Sequence, residues 1–256
     1  AKRVLVGGKR RPGVIIAPPV HLTKPKERKQ VVRVDQLAID IGAADQEEAR
    51  GLTAVGDYAT FATRFQVLAK GGLRAAKGKA FDDRVGCAAA ATLADDRYGF
   101  DLYLSFSTQE EVGLRGARVA AYRIEPDLAF ALEGTICDDL PKQEDVSPTT
   151  MLGKGPAITV MDRSFIADRR LVQLLIESAE ENDIAFQLKQ PGVGGCNAGA
   201  IHLSKAGVPC AVVSVPCRYI HSPAGLLSLN DYDNMIALMR AALHALPTKW
   251  SGMKGL

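Results

Sequence analysis

The sequence contains no apolar run that approaches the roughly 20 residues of a membrane-spanning helix, and it has no signal-peptide pattern. Its net charge is only +3, and the two signs of charge are evenly mixed. Such a balance gives no electrostatic reason to expect nucleic acid or membranes as partners. Hydrophobic residues make up 47% of the 256 positions, which is ordinary for a soluble globular protein with a well-filled core.

Cysteine is scarce and unpatterned. There are five cysteines, an odd number, and no two of them form a C-x-x-C pair. This argues against a disulfide scaffold or a zinc ribbon and predicts a reducing, cytoplasmic location. A phosphate loop, a dinucleotide fingerprint and the G-x-S-x-G elbow of hydrolases are also missing. Any catalytic chemistry therefore has to come from other side chains.

The pattern of the chain changes near residue 75. Residues 1–75 carry short β-patterns separated by Gly and Pro, among them 31–34, with one short helix predicted over 44–50. In residues 76–256 strands alternate with helices, which predicts a layered α/β domain with helices flanking a mixed sheet. Its predicted helices include 168–181 and 231–245, and its predicted strands include 102–106, 128–132 and 210–215.

Two adjacent glutamates, Glu110 and Glu111, follow the predicted strand 102–106. Neighbouring carboxylates repel each other unless a cation lies between them, so a divalent metal explains the pair, with one glutamate as ligand and the other for proton transfer. Asp82 precedes the first helix of the α/β domain, and Glu133 and His221 follow later strands. Ligands bind at the carboxyl ends of strands in such sheets, so these residues are predicted to converge. Carboxylate and imidazole donors suit Zn²⁺, Co²⁺ or Mn²⁺ better than Ca²⁺.

Each position also has a purely structural explanation. Asp82 or Asp83 would cap a helix, the glutamate pair would be favoured by the helix dipole in a first turn, and His221 would be held by one hydrogen bond. A nucleophile pair of Cys217 with His221 stays open too, although it leaves the acids without a role. Taken together, four sites with the right ligand chemistry outweigh the separate explanations.

Six segments of the sequence resemble the glutamyl and deblocking aminopeptidases, and the resemblance runs through nearly the whole chain in order. These enzymes are dinuclear metallopeptidases that assemble into tetrahedral dodecamers, and some of their relatives are named endoglucanases. The segments are Phe81-Asp-Asp-Arg-Val-Gly86, Thr108-Gln-Glu-Glu-Val-Gly-Leu-Arg-Gly-Ala117, Ala131-Leu-Glu-Gly-Thr135, Met161-Asp-Arg-Ser164, Ala198-Gly-Ala-Ile-His202 and Val215-Pro-Cys-Arg-Tyr-Ile-His-Ser-Pro223.

The resemblance implies that residues 1–75 belong to a PDZ-like dimerisation domain, inserted into a catalytic α/β domain that includes residues 76–256. It implies two divalent metal ions, zinc or cobalt. Asp82, rather than Asp83, would bridge them, and a ligand each would come from Glu111, Glu133 and His221. Glu110 would be the general base that takes a proton from a metal-activated water. Substrates would be peptides, and dimers would assemble into a homo-oligomer, a dodecamer.

The sequence departs from this family in two places. The family's first ligand lies in a His-x-Asp motif, which does not occur here. The expectation is that the N-terminal strands of the catalytic domain are absent from this sequence, that one metal site is incomplete, and that these 256 residues bind at most one metal tightly with weak or no activity. Gly195-Cys-Asn-Ala198 also replaces Gly-Thr-Asp-Ala, and no role for Asn197 follows. An inactive, assembly-competent subunit or fragment, and a carboxylate-pair glycosidase, remain as alternatives.

Overall fold

A computed structural model describes residues 2–16, 19–26, 29–68, 72–141 and 147–253. The chain forms two compact units, Ala1–Arg64 and Phe65–Leu256. The division therefore falls between Arg64 and Phe65, whereas the sequence suggested a boundary near residue 75. The assignment of the first unit to dimerisation stays a prediction.

The elements of the first unit are β1 (Lys2–Val6), β2 (Arg11–Ile15), β3 (Ile39–Asp40), α1 (Gln46–Leu52) and β4 (Ala59–Phe61). The strands form a four-stranded antiparallel sheet in the order β3-β2-β1-β4, and Val4 and Val6 of β1 are buried. Helix α1 is capped by Asp45, whose carboxylate accepts a hydrogen bond from Glu48 N at 2.9 Å, so the helix predicted over 44–50 is confirmed.

The strand predicted over residues 31–34 is wrong. These residues form no strand, and a 3₁₀ turn occupies Val34–Gln36. The side chains are solvent-exposed, with Val31 at 93%. β-branched residues favour strands because they pack on a half-buried pleated surface, and here there is none for them to pack against.

The second unit has a seven-stranded mixed sheet, which confirms the predicted α/β architecture. The strands are β5 (Gln66–Val67), β6 (Ala75–Gly78), β7 (Ala129–Ile136), β8 (Ala157–Thr159), β9 (Gln187–Lys189), β10 (Cys210–Arg218) and β11 (Gly225–Ser228). Their order in the sheet is β5-β6-β11-β10-β8-β9, with β7 paired in parallel to β10. Strand β10 is buried at every position except its last residue, which is typical of a strand covered on both faces.

Helices cover this sheet. The helices are α2 (Phe81–Leu93), α3 (Arg115–Ile124), α4 (Arg169–Glu181), α5 (Ala198–Ile201) and α6 (Leu229–Met253). Helix α4 packs on α6, and α2 packs on β7 and α6. Helix α3 packs on α5, which contacts β7 and β10. Helix α4 begins after Asp168, which accepts a hydrogen bond from Arg170 N, and it buries the leucines at the predicted helical spacing. Among the described residues, no helix is both long and apolar enough to cross a membrane.

One glycine brings α2 close to the sheet. A Cβ on Gly86 would lie 2.0 Å from the carbonyl oxygen of Leu132 in β7. Only a residue without a side chain fits this crossing. The close contact brings the start of α2, which carries Asp82 and Asp83, against the middle of β7, which carries Glu133.

Candidate metal centre

Three potential ligands from three separate segments meet at one point. The His221 Nε2 atom lies 3.2 Å from Asp82 Oδ2 and 3.3 Å from Glu111 Oε1. One donor atom from each of these residues lies within 4.8 Å of the other two. The structure thus brings together Asp82, Glu111 and His221, three of the five residues that the sequence singled out.

The two adjacent aspartates have different surroundings. Asp82 has non-helical backbone angles and faces His221. The Asp83 carboxylate instead accepts a hydrogen bond from Gly86 N at 2.8 Å, in the manner of a helix cap, and the peptide bond between the aspartates is cis. The structural explanation therefore holds for Asp83, and Asp82 is left free to face the centre.

Glu133 lies inside a strand rather than after one. Strand β7 continues to Ile136, and Glu133 is opposite Ser214 of β10, whose hydroxyl donates to Glu133 Oε1 at 3.2 Å. The neighbouring Gly134 lets β7 approach Asp82 closely, since a Cβ there would be 3.3 Å from Asp82 N. Glu133 is thus adjacent to the three-residue cluster without being part of it.

The strand predicted over 102–106 does not form. Glu110 and Glu111 therefore follow an irregular segment and lie on a turn. Residues 101–107 have no regular structure and are largely exposed, with Tyr103 at 65%. The turn that follows is closed by Gly113 N and Leu114 N, which both donate to the Glu110 carbonyl oxygen. A strand needs a partner, and among the described residues this segment pairs with no neighbour.

A cavity of about 1080 Å³ connects these acids to an apolar groove. Asp82, Glu110 and Glu133 are among the residues that line it. The groove lies between residues 99–107, the beginning of β7, and apolar side chains of α2 and α6. Within the described part of the chain β7 pairs with β10 only, so the strand edge that borders the groove has no partner.

Burial raises the pKa of four carboxyl groups in this region. The pKa of Asp82 is raised by burial and also by Glu111, against the opposing effect of His221. Burial raises the pKa of Asp83 to about 7 and that of Glu133 to about 8. The pKa of Glu110 is raised by burial and by the charges of Asp82 and Glu111. Because like charges repel, this group of acids needs neighbouring positive charge in order to be ionised together.

Lys189, which the sequence reasoning missed, offsets part of this negative charge. It lies at the end of β9, is only 6% exposed, and its positive charge opposes the rise in pKa of both Asp82 and Glu133. Strand β9 has only three residues, too few to show the alternation of apolar and polar side chains that predicts a strand. Lys189 therefore acts on two of the four carboxyl groups whose pKa values are raised. The donor set of carboxylates and an imidazole, together with this excess of acid, fits a divalent ion such as Zn²⁺ or Co²⁺.

Two further residues noted in the sequence lie beside the centre. The Cys217 thiol is buried and donates weakly to the Arg218 carbonyl oxygen, and burial raises its pKa to about 12. A neutral thiol is a poor nucleophile, so the burial that keeps Cys217 protonated does not favour the Cys217–His221 pair. Asn197 borders the cavity, and its buried Oδ1 atom has no hydrogen-bond partner among the described residues.

A model of the M42 glutamyl aminopeptidases matches residues 1–238. The chain belongs to this family. M42 proteins are metal-dependent peptidases, which agrees with the acid and imidazole cluster. All five cysteines of this M42 chain are free.

Two relatives illustrate the match. A protein of Acetivibrio thermocellus named as an aminopeptidase is 37% identical over 226 residues, which cover 88% of this chain and 67% of the relative. The lysyl aminopeptidase of Pyrococcus furiosus is 34% identical over 240 residues, which cover 91% of this chain and 67% of the relative. The chain therefore spans about two thirds of the length of these relatives.

Solved structures show the same fold. A TET aminopeptidase from a marine sediment thaumarchaeon matches with a TM-score of 0.89 and 38% identity, over 98% of this chain and 72% of that one. The TET1 peptidase of Pyrococcus horikoshii, which assembles into a tetrahedron or a large octahedral shell, matches with a TM-score of 0.78 and 35% identity, over 95% and 72%. A Thermotoga maritima protein named an endoglucanase matches with a TM-score of 0.74 and 31% identity, over 98% and 70%.

Proposed function

We propose that this chain is the catalytic part of a metal-dependent aminopeptidase that removes N-terminal residues from peptides. The convergence of Asp82, Glu111 and His221 carries the proposal, because a carboxylate, a second carboxylate and an imidazole within 4.8 Å of one another form a donor set for a divalent ion. Membership of the M42 family and the aminopeptidase names of the relatives support the peptide substrate.

The five residues take different roles in this proposal. Asp82 faces His221, and its charge acts on Glu133, so it would be the residue that holds both ions. Glu111, Glu133 and His221 would each supply a further ligand. Burial and neighbouring charge raise the pKa of Glu110, which favours proton uptake by this carboxylate.

In the reaction, ions held here would lower the pKa of a bound water and polarise the scissile carbonyl group. Glu110, which borders the cavity, takes the proton from the attacking water as its oxygen adds to the carbonyl carbon. It then gives the proton to the leaving amine as the peptide bond breaks. The His221 Nε2 and Asp82 Oδ2 atoms lie 3.2 Å apart, so both would be available as donor atoms for the same ion.

The remaining first-site ligand has a place in this proposal. One edge of β7 has no partner among the described residues, and it borders the same groove as residues 99–107. An extended segment between them would pair with both. We propose that strands bearing a His-x-Asp motif lie there, as the resemblance implies. The encoded residues upstream of Ala1 test this directly: a His-x-Asp motif supports it, and its absence contradicts it.

Assembly into a homo-oligomer belongs to the same proposal. A TET1 relative forms a tetrahedron or an octahedral shell. By analogy, the Ala1–Arg64 unit mediates dimers that assemble into a dodecamer. Light scattering of the purified chain, with and without residues 1–64, measures the contribution of this unit.

Hydrolysis of aminoacyl-nitroanilides tests the activity. We expect weak hydrolysis that a chelator abolishes and that Glu110→Gln lowers by a factor of about 10² to 10⁴. The exposed Glu47→Gln in α1 is the matched control and should leave the rate unchanged. Bound metal without any hydrolysis would favour the inactive subunit, and glycoside hydrolysis that survives the chelator would favour the carboxylate-pair glycosidase.

A further inference from the structure

The turn that carries His221 has a backbone conformation that side chains rarely adopt. Tyr219 and His221 have φ values of 59° and 60°, in the left-handed region. This region costs about 1–2 kcal/mol for a residue with a Cβ atom. The His221 side chain is 61% exposed, so burial does not hold it in place.

The hydrogen bonds described within the turn join its own residues to one another, so they do not fix its direction relative to the sheet. Ser222 N donates to the Tyr219 carbonyl oxygen at 3.2 Å, and Ser222 Oγ donates to the Ala224 carbonyl oxygen at 2.9 Å. The pairing of β10 with β11 stops at Arg218, opposite Leu226. The orientation of the turn therefore depends on the contacts of Arg218, the last residue of β10 before the turn.

An ion pair with Asp139 holds Arg218 in place. The Arg218 guanidinium binds both carboxylate oxygens of Asp139, with Nε at 2.6 Å from Oδ1 and Nη2 at 2.8 Å from Oδ2. A two-point contact of this kind fixes direction as well as distance. The Arg218 and Asp139 side chains are 25% and 8% exposed, so water screens the pair only partly.

Asp139 is a rigid anchor for this contact. Its carboxylate also accepts hydrogen bonds from Leu152 N at 3.0 Å and from the Cys137 thiol at 3.3 Å. The Arg218 guanidinium, as the largest cause, lowers the pKa of Asp139 to about 2. The carboxylate is therefore ionised at every pH at which the protein would be assayed.

We propose that Arg218 and Asp139 are positioning residues that fix the 219–224 turn and so direct the His221 imidazole towards Asp82 and Glu111. Neither residue is among the proposed metal ligands. The inference rests on the proposed metal centre for its functional consequence, but the effect on the turn can be measured without metal.

Cobalt titration monitored by visible absorption measures the functional consequence. Arg218→Ala should weaken Co²⁺ binding about tenfold and change the absorption spectrum, because removing an outer support of a ligand typically has an effect of this size. Arg218→Lys keeps the charge but not the two-point contact, and should retain more affinity than Arg218→Ala.

A matched control separates positioning from stability. Arg170 makes a similar two-point contact with Asp168, at 3.1 and 2.8 Å, at the start of α4. Arg170→Ala should lower the free energy of unfolding yet leave the Co²⁺ affinity and spectrum unchanged. If Arg218→Ala behaves in the same way, the pair is merely structural and the inference is wrong.

Hydrogen exchange of the metal-free protein distinguishes this inference from the metal proposal. Arg218→Ala should speed exchange of the Ser222 amide relative to the buried core of α6, and Arg170→Ala should not. If wild type binds no cobalt but Ser222 exchange responds, the metal proposal fails and the role of the pair in holding the turn stands. If Ser222 exchange is the same in Arg218→Ala as in wild type, the inference is overturned.

Discussion

Replacing Glu133 by Gln should remove a large part of the pH dependence of stability in the metal-free protein. Burial raises the pKa of Glu133 from 4.5 to about 8. Between these values the folded protein holds one proton more than the unfolded chain, so its stability falls as the pH rises. The slope from this group is about 1.4 kcal/mol per pH unit, and the full effect has an upper limit of roughly 5 kcal/mol.

Gln suits this test because its amide oxygen can still accept the hydrogen bond from Ser214. Urea unfolding with a chelator present, followed by the fluorescence of Trp250, reports on the unit that contains Glu133, since Trp250 is the only tryptophan and packs on that core. Wild type should lose stability from about pH 5 to pH 8, and Glu133→Gln should lose clearly less. Glu47→Gln, on exposed helix α1, should follow wild type. Equal slopes for wild type and Glu133→Gln would show that burial does not raise the pKa of Glu133 in the folded protein.

Two predictions concern the start of α2. Asp83→Ala should destabilise the protein by about 1 kcal/mol at pH 5 because the Gly86 amide loses its acceptor, whereas Asp83→Asn should keep the cap and cost less. Urea unfolding measures the stability of both variants. Equal losses of stability in the two would contradict the capping role. Gly86→Ala should cost at least about 1–3 kcal/mol, since its Cβ would collide with the Leu132 carbonyl; a thermal midpoint equal to that of wild type would show that α2 does not cross β7 so closely.

Much of the candidate site was predictable because its residues have unusual chemistry for their positions. The acids at 82, 110, 111 and 133 and His221 could be selected as a group from ligand chemistry and their places between strands and helices. Their contacts could not be predicted from the sequence. The different surroundings of Asp82 and Asp83 depend on backbone angles at the start of α2, and the position of Glu133 depends on how far β7 pairs with β10.

The errors in the fold have a common physical origin. Long helices such as α4 and α6 can be predicted because their apolar residues recur at helical spacing, and these residues are buried in the core. Strand β9, which carries Lys189, has three residues and is specified by pairing with β8 rather than by its own pattern. Residues 102–106 show the opposite case, because an apolar pattern suited to a strand is present but the described chain supplies no partner.

The metal content of the purified protein shows whether Asp82, Glu111 and His221 hold a divalent ion. Wild type and His221→Ala would be loaded with zinc or cobalt, dialysed, and measured by elemental analysis beside the control Glu47→Gln. We expect one tightly held ion per chain in wild type and in the control, and a large loss in His221→Ala, because the imidazole is one of three donors that meet within 4.8 Å. Wild type without metal, or equal metal in wild type and His221→Ala, would contradict it.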